Sequence, residues 1–357
     1  MDIKELQNKA RERTVKSQTI EYDIQSIVNR INNGSIKINP DYQRRHRWDN
    51  VVSSRLIESL LLNIPIPMIY LSQDVDLDDD NVGSNSIYSV IDGQQRLTAI
   101  VNFLKNNLRL ENLEILSELN GYTYKELPIF LKRRLDDRSL SCLRIDSTVD
   151  EQVKYDIFER LNSGSVQLNA QELRNAIYRG YFNEKIQELA NTDVFQKITN
   201  MTSNRQQKME DAELVLRFFS LCDGRYKSYK PNMKIFLNES MKFFSHYSDE
   251  EINTLATRFH RVMNKVYELF GELPFAKYPN EPGKKKSNFN TAVYDAVTIS
   301  VDNILYSNKK FVSSPKEALS SLFSNTEFYS AISTSINDSK KLTERIRIAE
   351  DEFSTNK

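Results

Sequence analysis

Ser89-Val90-Ile91-Asp92-Gly93-Gln94-Gln95-Arg96-Leu97-Thr98-Ala99-Ile100 changes its periodicity halfway along. Ile87, Tyr88, Val90 and Ile91 are β-branched or aromatic and closely spaced, which predicts a strand. Leu97, Ile100, Val101 and Leu104 recur at helical spacing, which predicts a helix. A carboxylate, a glycine, two amides and an arginine fill the turn between them. A glycine there lets a ligand approach the backbone with no Cβ in the way. The first helical turn adds free N–H groups and the positive end of the dipole, a setting that favours phosphate. Arg96 would add a forked charge suited to phosphate oxygens. Asp92 suits such a site only with a divalent metal between carboxylate and phosphate. The purely structural alternative has Asp92 capping the helix and Arg96 pairing with a nearby carboxylate.

Working outward, two further blocks carry polar chemistry. Asn39-Pro40-Asp41-Tyr42-Gln43-Arg44-Arg45-His46-Arg47-Trp48 crowds cationic and potentially cationic residues together, either as a solvated basic loop or as a phosphate-facing segment. Trp48, the only tryptophan, reads as a core anchor. Phe158-Glu159-Arg160-Leu161-Asn162-Ser163-Gly164 ends a helix in a polar turn, and Asn169 caps the next one. Arg160, Asn162, Ser163 and Gly164 form a candidate ligand block, against the plain alternative of a helix end and loop. Glu172 and Arg174 would orient that loop or pair with each other.

The three blocks, in this order, together with Leu168 and Glu172-Leu173-Arg174-Asn175, resemble the GmrSD N-terminal domain family over roughly residues 20 to 220. The resemblance implies a ParB/sulfiredoxin-like fold and a place among the NTP-hydrolysing parts of modification-dependent (type IV) restriction systems. It implies that Gln43 and Arg44 face the same phosphate site as Arg96. The expected catalytic set is Asp92, Gln95, Arg96 and Arg44. The expected nucleotide-binding set is Tyr42, Gln43, Gly93, Gln94, Thr98, Arg160, Asn162, Ser163 and Gly164. Asp92 is the expected Mg²⁺ ligand, and the expected cofactors are an NTP (GTP, ATP or another) with Mg²⁺.

The expected fold class is α+β. Residues 1–205 would form the NTP-binding domain with a small mixed sheet, and residues 206–357 an all-helical domain that binds DNA or a partner. Asp23 reads as the N-cap of a helix whose buried face is Ile24, Ile27, Val28 and Ile31, closed by Gly34. Ile36 to Ile38 and Met68 to Leu71 read as strands. Asn50 reads as a helix cap. Residues 73 to 86, with Asp74, Asp76, Asp78, Asp79 and Asp80, read as a solvated loop or hairpin rather than a metal site. Tyr122 to Leu127 reads as extended, Leu131 to Leu135 as helix, and Leu140 to Ile145 as a strand. Helical patterns continue near 232–247, 250–271, 287–305, 315–324 and 338–353.

Lys and Arg total 49 and Asp and Glu total 49, for a formal net charge of +0, so any nucleic-acid contact must be a local patch. Two basic stretches with interleaved aromatics are candidates: Arg225, Lys227 and Lys230 among Tyr226 and Tyr229, and Lys284, Lys285 and Lys286 before Phe289. The alternative is charged surface with half-packed tyrosines. Cys142 and Cys222 form no metal spacing or disulfide framework, and no apolar run suggests a membrane span, so a cytoplasmic setting is expected. The three histidines, His46, His246 and His260, give no familiar nuclease spacing. Taken with that absence, the resemblance implies a stand-alone GmrS-like or TgvA-like subunit, oligomeric or not. It would act with a separate nuclease on modified phage DNA, with glucosylated hydroxymethylcytosine the substrate class the family suggests. A non-hydrolysing nucleotide switch or DNA-binding module is the competing expectation.

Overall fold

In a computed structural model of the chain, residues 16–38, 48–73, 87–146, 151–161, 168–278 and 287–355 are described. They fall into two compact units, residues 1–168 and 169–357. The expected boundary lay at 205/206. The helices between 170 and 207 carry Tyr178, Phe182, Ile186, Leu189, Phe195 and Ile198 into the second core, which is why they belong there.

The first unit is a mixed sheet with helices. Its elements are β1 (Ser17–Asp23), α1 (Ile24–Asn32), β2 (Ile36–Lys37), α2 (Asn50–Leu61), β3 (Ile69–Gln73), β4 (Tyr88–Asp92), α3 (Gln94–Leu104), α4 (Ile129–Asp136), β5 (Ser139–Ile145) and α5 (Glu151–Leu161). The strand order is β1-β5-β3-β4-β2. β1 and β5 pair antiparallel, β5 and β3 parallel, β3 and β4 antiparallel, and β4 and β2 parallel. The β3–β4 register shifts between Tyr70 and Leu71, and Tyr70 is the residue opposite Asp92. Such irregularities re-aim side chains at the end of a pairing. The core gathers Ile24, Ile27 and Val28 of α1, Leu56, Ile57, Leu60 and Leu61 of α2, and Leu97, Ile100 and Phe103 of α3. Trp48 packs against it, partly buried, as a core anchor.

Local signals set most of the element ends. Asp23 caps α1 by accepting from the Ser26 N–H at 2.6 Å. The cap of α2 is Asp49, one residue before the expected Asn50, because its carboxylate reaches the Val52 N–H at 2.8 Å. Tyr122 to Leu127 is not extended. Tyr124–Glu126 form a 3₁₀ turn, started by a reciprocal cap between Thr123 and Glu126.

The second unit is helical: α6 (Ala170–Ile177), α7 (Tyr181–Ala190), α8 (Asp193–Thr199), α9 (Ser203–Gln207), α10 (Glu210–Leu221), α11 (Met233–Phe244), α12 (Asp249–Phe270), α13 (Thr291–Leu305), β6 (Lys310–Phe311), α14 (Pro315–Ser321), α15 (Thr326–Ala331), α16 (Ser339–Phe353) and β7 (Ser354–Thr355). β6 and β7 form a two-residue antiparallel ribbon, so the unit is not wholly helical. Its core carries a buried ion chain. Asp295 of α13 accepts from Arg217 of α10 and from Arg345 of α16, both at 2.5 Å.

One clamp in the first unit has a measurable signature. Glu58 on α2 is buried and accepts from the backbone N–H groups of Glu114, Ile115 and Leu116 at 3.3, 2.8 and 2.8 Å. Burial pushes its carboxyl up, but those amides, with Arg55 nearby, outweigh burial and hold it below the ordinary glutamate value. The folded value lies below the unfolded one. The resulting stabilisation is therefore complete above the glutamate range and is lost as pH falls through the folded value. Glu58→Gln should lower unfolding stability by about 1–3 kcal/mol near neutral pH. The difference from wild type should shrink in acid, read by urea unfolding at both pH values.

Candidate functional site

Asp92 ends β4, Gly93 turns the chain, and Gln94 begins α3. Gly93 adopts φ +98° and is the N-cap, with no side-chain cap bond. A Cβ at Gly93 would sit 2.4 Å from Ile69 Cδ1 and 3.5 Å from Arg96 Cζ, so space as well as backbone conformation selects glycine. Asp92 does not cap the helix. Its Oδ2 accepts from Arg96 across one helical turn at 2.5 Å.

Arg96 is 8% exposed. Besides Asp92, its guanidinium donates to the Pro67 carbonyl and, at 3.1 Å, to the Met68 carbonyl. It thus ties α3 to the backbone entering β3, and its contacts are those of the structural alternative. Asp92 differs: its side chain stays 42% exposed, one oxygen held by Arg96 while the carboxylate opens outward. Below the turn, burial pushes the Cys142 thiol up to about 12, with the Arg96 charge pulling it down. Cys142 is therefore protonated at neutral pH and is no nucleophile.

The two amides of the turn differ in role. Gln94 is buried and its Nε2 donates to the Val90 carbonyl at 3.0 Å. Its Oε1 is buried with no hydrogen-bond partner among the described residues. Gln95 Oε1 accepts from the Trp48 backbone N–H at 3.2 Å, so it pins the chain where the basic segment ends. The Thr98 hydroxyl donates to the Gln94 carbonyl at 2.8 Å, back into its own helix.

Tyr42, Gln43 and Arg44 lie outside the described residues, as do Asn162, Ser163 and Gly164, Lys284 to Lys286, and the acidic run Asp74 to Asp80. Arg160 is exposed on the last turn of α5, a helix that packs against β4 with Tyr155 and Phe158 buried. Glu172 completes the reciprocal cap with Asn169. Arg174 pairs not with Glu172 but with Glu213, at 3.1 Å, and also binds Gln171 and Asn238. The basic stretch 225–230 departs most from expectation. Tyr226 and Tyr229 are buried, and the Tyr229 hydroxyl donates to the Asn337 carbonyl. Arg225 lies over Phe243 and Phe244, 4.4 and 5.0 Å from their ring centres. No tyrosine in that stretch is available to stack on a base. Pro67, Met68 and Ile69, which frame the turn, carry no chemical signal in sequence, because two act through backbone carbonyls and one through a methyl group.

A strand ending in a glycine turn, a helix N-terminus and a half-exposed carboxylate form the candidate site of a small α+β unit. The family model of the GmrSD restriction endonuclease N-terminal domain matches residues 24–179. The likeness to this family of restriction endonucleases lies in that segment, which covers less than half of the chain. No curated protein and no solved structure matches the chain. Among the described residues, no helix is long and apolar enough to cross a membrane.

Gly93→Ala should destabilise the protein by about 1–3 kcal/mol through its positive φ and the contact with Ile69. Ile69→Val removes the offending Cδ1 and should recover part of that loss in the double variant. A double-mutant cycle of thermal unfolding measures both.

Proposed function

We propose that the chain binds and hydrolyses a nucleoside triphosphate at the Asp92–Arg96 turn, as the sensing subunit of a modification-dependent restriction system. The observation that carries this is the Asp92–Arg96 pair: a half-exposed carboxylate held by a buried guanidinium at the mouth of a glycine turn, inside the segment that the GmrSD family model matches. The first-turn amides of α3 favour phosphate oxygens. Arg96 sets the position of Asp92, and Arg44 of the basic segment supplies positive charge to the transferred phosphoryl group. Gln95 holds the end of that segment through Trp48. Gln43, Gln94 and Asn162 position nucleotide or water.

Among the described residues no three metal-ligating side chains gather. A lone carboxylate fits Mg²⁺, which takes one or two carboxylates and completes its shell with water and substrate phosphates. Asp92 would hold that ion, and its chemistry would be to neutralise charge on the phosphates. Hydrolysis would gate assembly with a separate nuclease subunit on modified phage DNA, glucosylated hydroxymethylcytosine being the favoured substrate class.

The experiment is NTP hydrolysis with Mg²⁺ for each of the four nucleotides, alone, with unmodified DNA and with glucosylated phage DNA. Asp92→Asn should abolish turnover and, because it removes the charge but keeps an oxygen acceptor for Arg96 in a half-exposed side chain, should cost less thermal stability than Arg96→Ala. Arg96→Ala should abolish turnover and also destabilise the fold. Turnover retained in Asp92→Asn would move the chemistry elsewhere. Nucleotide binding with no turnover in wild type would favour the non-hydrolysing switch.

A further inference from the structure

Base stacking needs an exposed ring, and phosphate contact needs a cation not already neutralised. Tyr122, Phe130, Phe243, Tyr267 and Tyr306 are the large aromatics exposed among the described residues. Of these, Phe243 and Tyr306 have a cation over the ring. Phe243 edges a cleft of about 520 Å³ that Glu239 and Glu251 also line. Lys242 and His246 line it too, so the carboxylates at this ring stand beside cationic groups of the same cleft, and Arg225 already covers the Phe243 ring.

Tyr306 is different. It follows α13 and is 51% exposed, with the guanidinium carbons of Arg258 and Arg261 on α12 at 4.6 and 5.2 Å from its ring centre. The two acids that pair with an arginine at this ring, Asp302 and Asp223, are both engaged by Arg258. Arg261 is exposed and has no carboxylate partner among the described residues, so the cation it holds beside the ring is not neutralised by an ion pair. Arg258 is fixed in place by donating two hydrogen bonds to Asp302, one to each carboxylate oxygen at 2.7 Å, so the shelf is set before any ligand arrives. Tyr306 comes from the end of one helix and its arginines from the face of another, which is why no contiguous basic-aromatic run announces them.

We propose that this surface binds an unpaired stretch of nucleic acid, with one base stacked on Tyr306 and an adjacent phosphate on Arg261. Stacking requires a base free of its partner, so single strands are the ligand and blunt duplex is a poor one. The inference does not rest on nucleotide hydrolysis at the turn.

The test is fluorescence anisotropy of the full chain with a labelled oligothymidylate, and with a blunt duplex of equal length. Wild type should prefer the single strand. Tyr306→Ala should weaken that binding by about fivefold or more, and Tyr306→Phe, which keeps the ring, should bind like wild type. Arg261→Ala should weaken binding and make the slope of log affinity against log salt shallower by about 0.7. Any NTP hydrolysis without DNA should be unchanged in Tyr306→Ala, so the two readings fail separately. Absence of single-strand binding would overturn the proposal. So would full affinity in Tyr306→Ala, or loss confined to Lys227→Ala and Lys230→Ala.

Discussion

A buried guanidinium must find acceptors, and the first unit is arranged around how Arg96 finds them. Two are backbone carbonyls at Pro67 and Met68 and the third is the Asp92 carboxylate. Through them, a single side chain joins the start of α3, the end of β4 and the approach to β3. Helix, strand and turn cannot shift independently without leaving charge unpaired in a low-dielectric interior. Gly93 follows from the same closeness, since Ile69 and the Arg96 head occupy the space a Cβ would need. The register shift opposite Asp92 lies at the same point of the sheet. The outcome is a turn that holds one carboxylate outward on rigid supports.

The same physics recurs with other partners. Glu58 satisfies three loop amides, giving a segment without regular structure a fixed path past α2. In the helical unit, Asp295 takes two arginines and Asp302 takes Arg258, linking α10, α12, α13 and α16 by charge as well as by packing. Exchange of such groups for apolar ones is often neutral, whereas loss of one partner is costly. These pairs therefore restrict which helix arrangements are tolerable more than they add stability. Arg258 shows how such a restriction also serves a surface: its bonds to Asp302 leave the guanidinium against Tyr306.

Much of the fold was legible because it depends on local pattern. The change from period two to helical period around Gly93 marked β4 and α3. Asp23 and Asn169 announced helix starts through side-chain oxygens that reach amides two or three residues on. Asp49 and Asn50 both offer such an oxygen, and only the backbone geometry chose between them. The domain division was less legible. Residues 170 to 207 follow the motif in sequence, yet their apolar faces fill the other core. An amphipathic helix shows that it buries a face without showing against what.

The chain's own residues determined the glycine turn, the helices and strands flanking it, the family likeness of residues 24–179, and the candidate charged groups. Tertiary structure decided what those groups do. It turned Arg96 inward to carbonyls far from it in sequence, left Asp92 half exposed, and gave the Trp48 amide to Gln95. It also buried Tyr226 and Tyr229 while exposing Tyr306 beside two arginines from another helix. The reason is the range of the forces involved. Backbone propensity and capping act over a few residues, whereas burial and charge pairing depend on which distant segments meet.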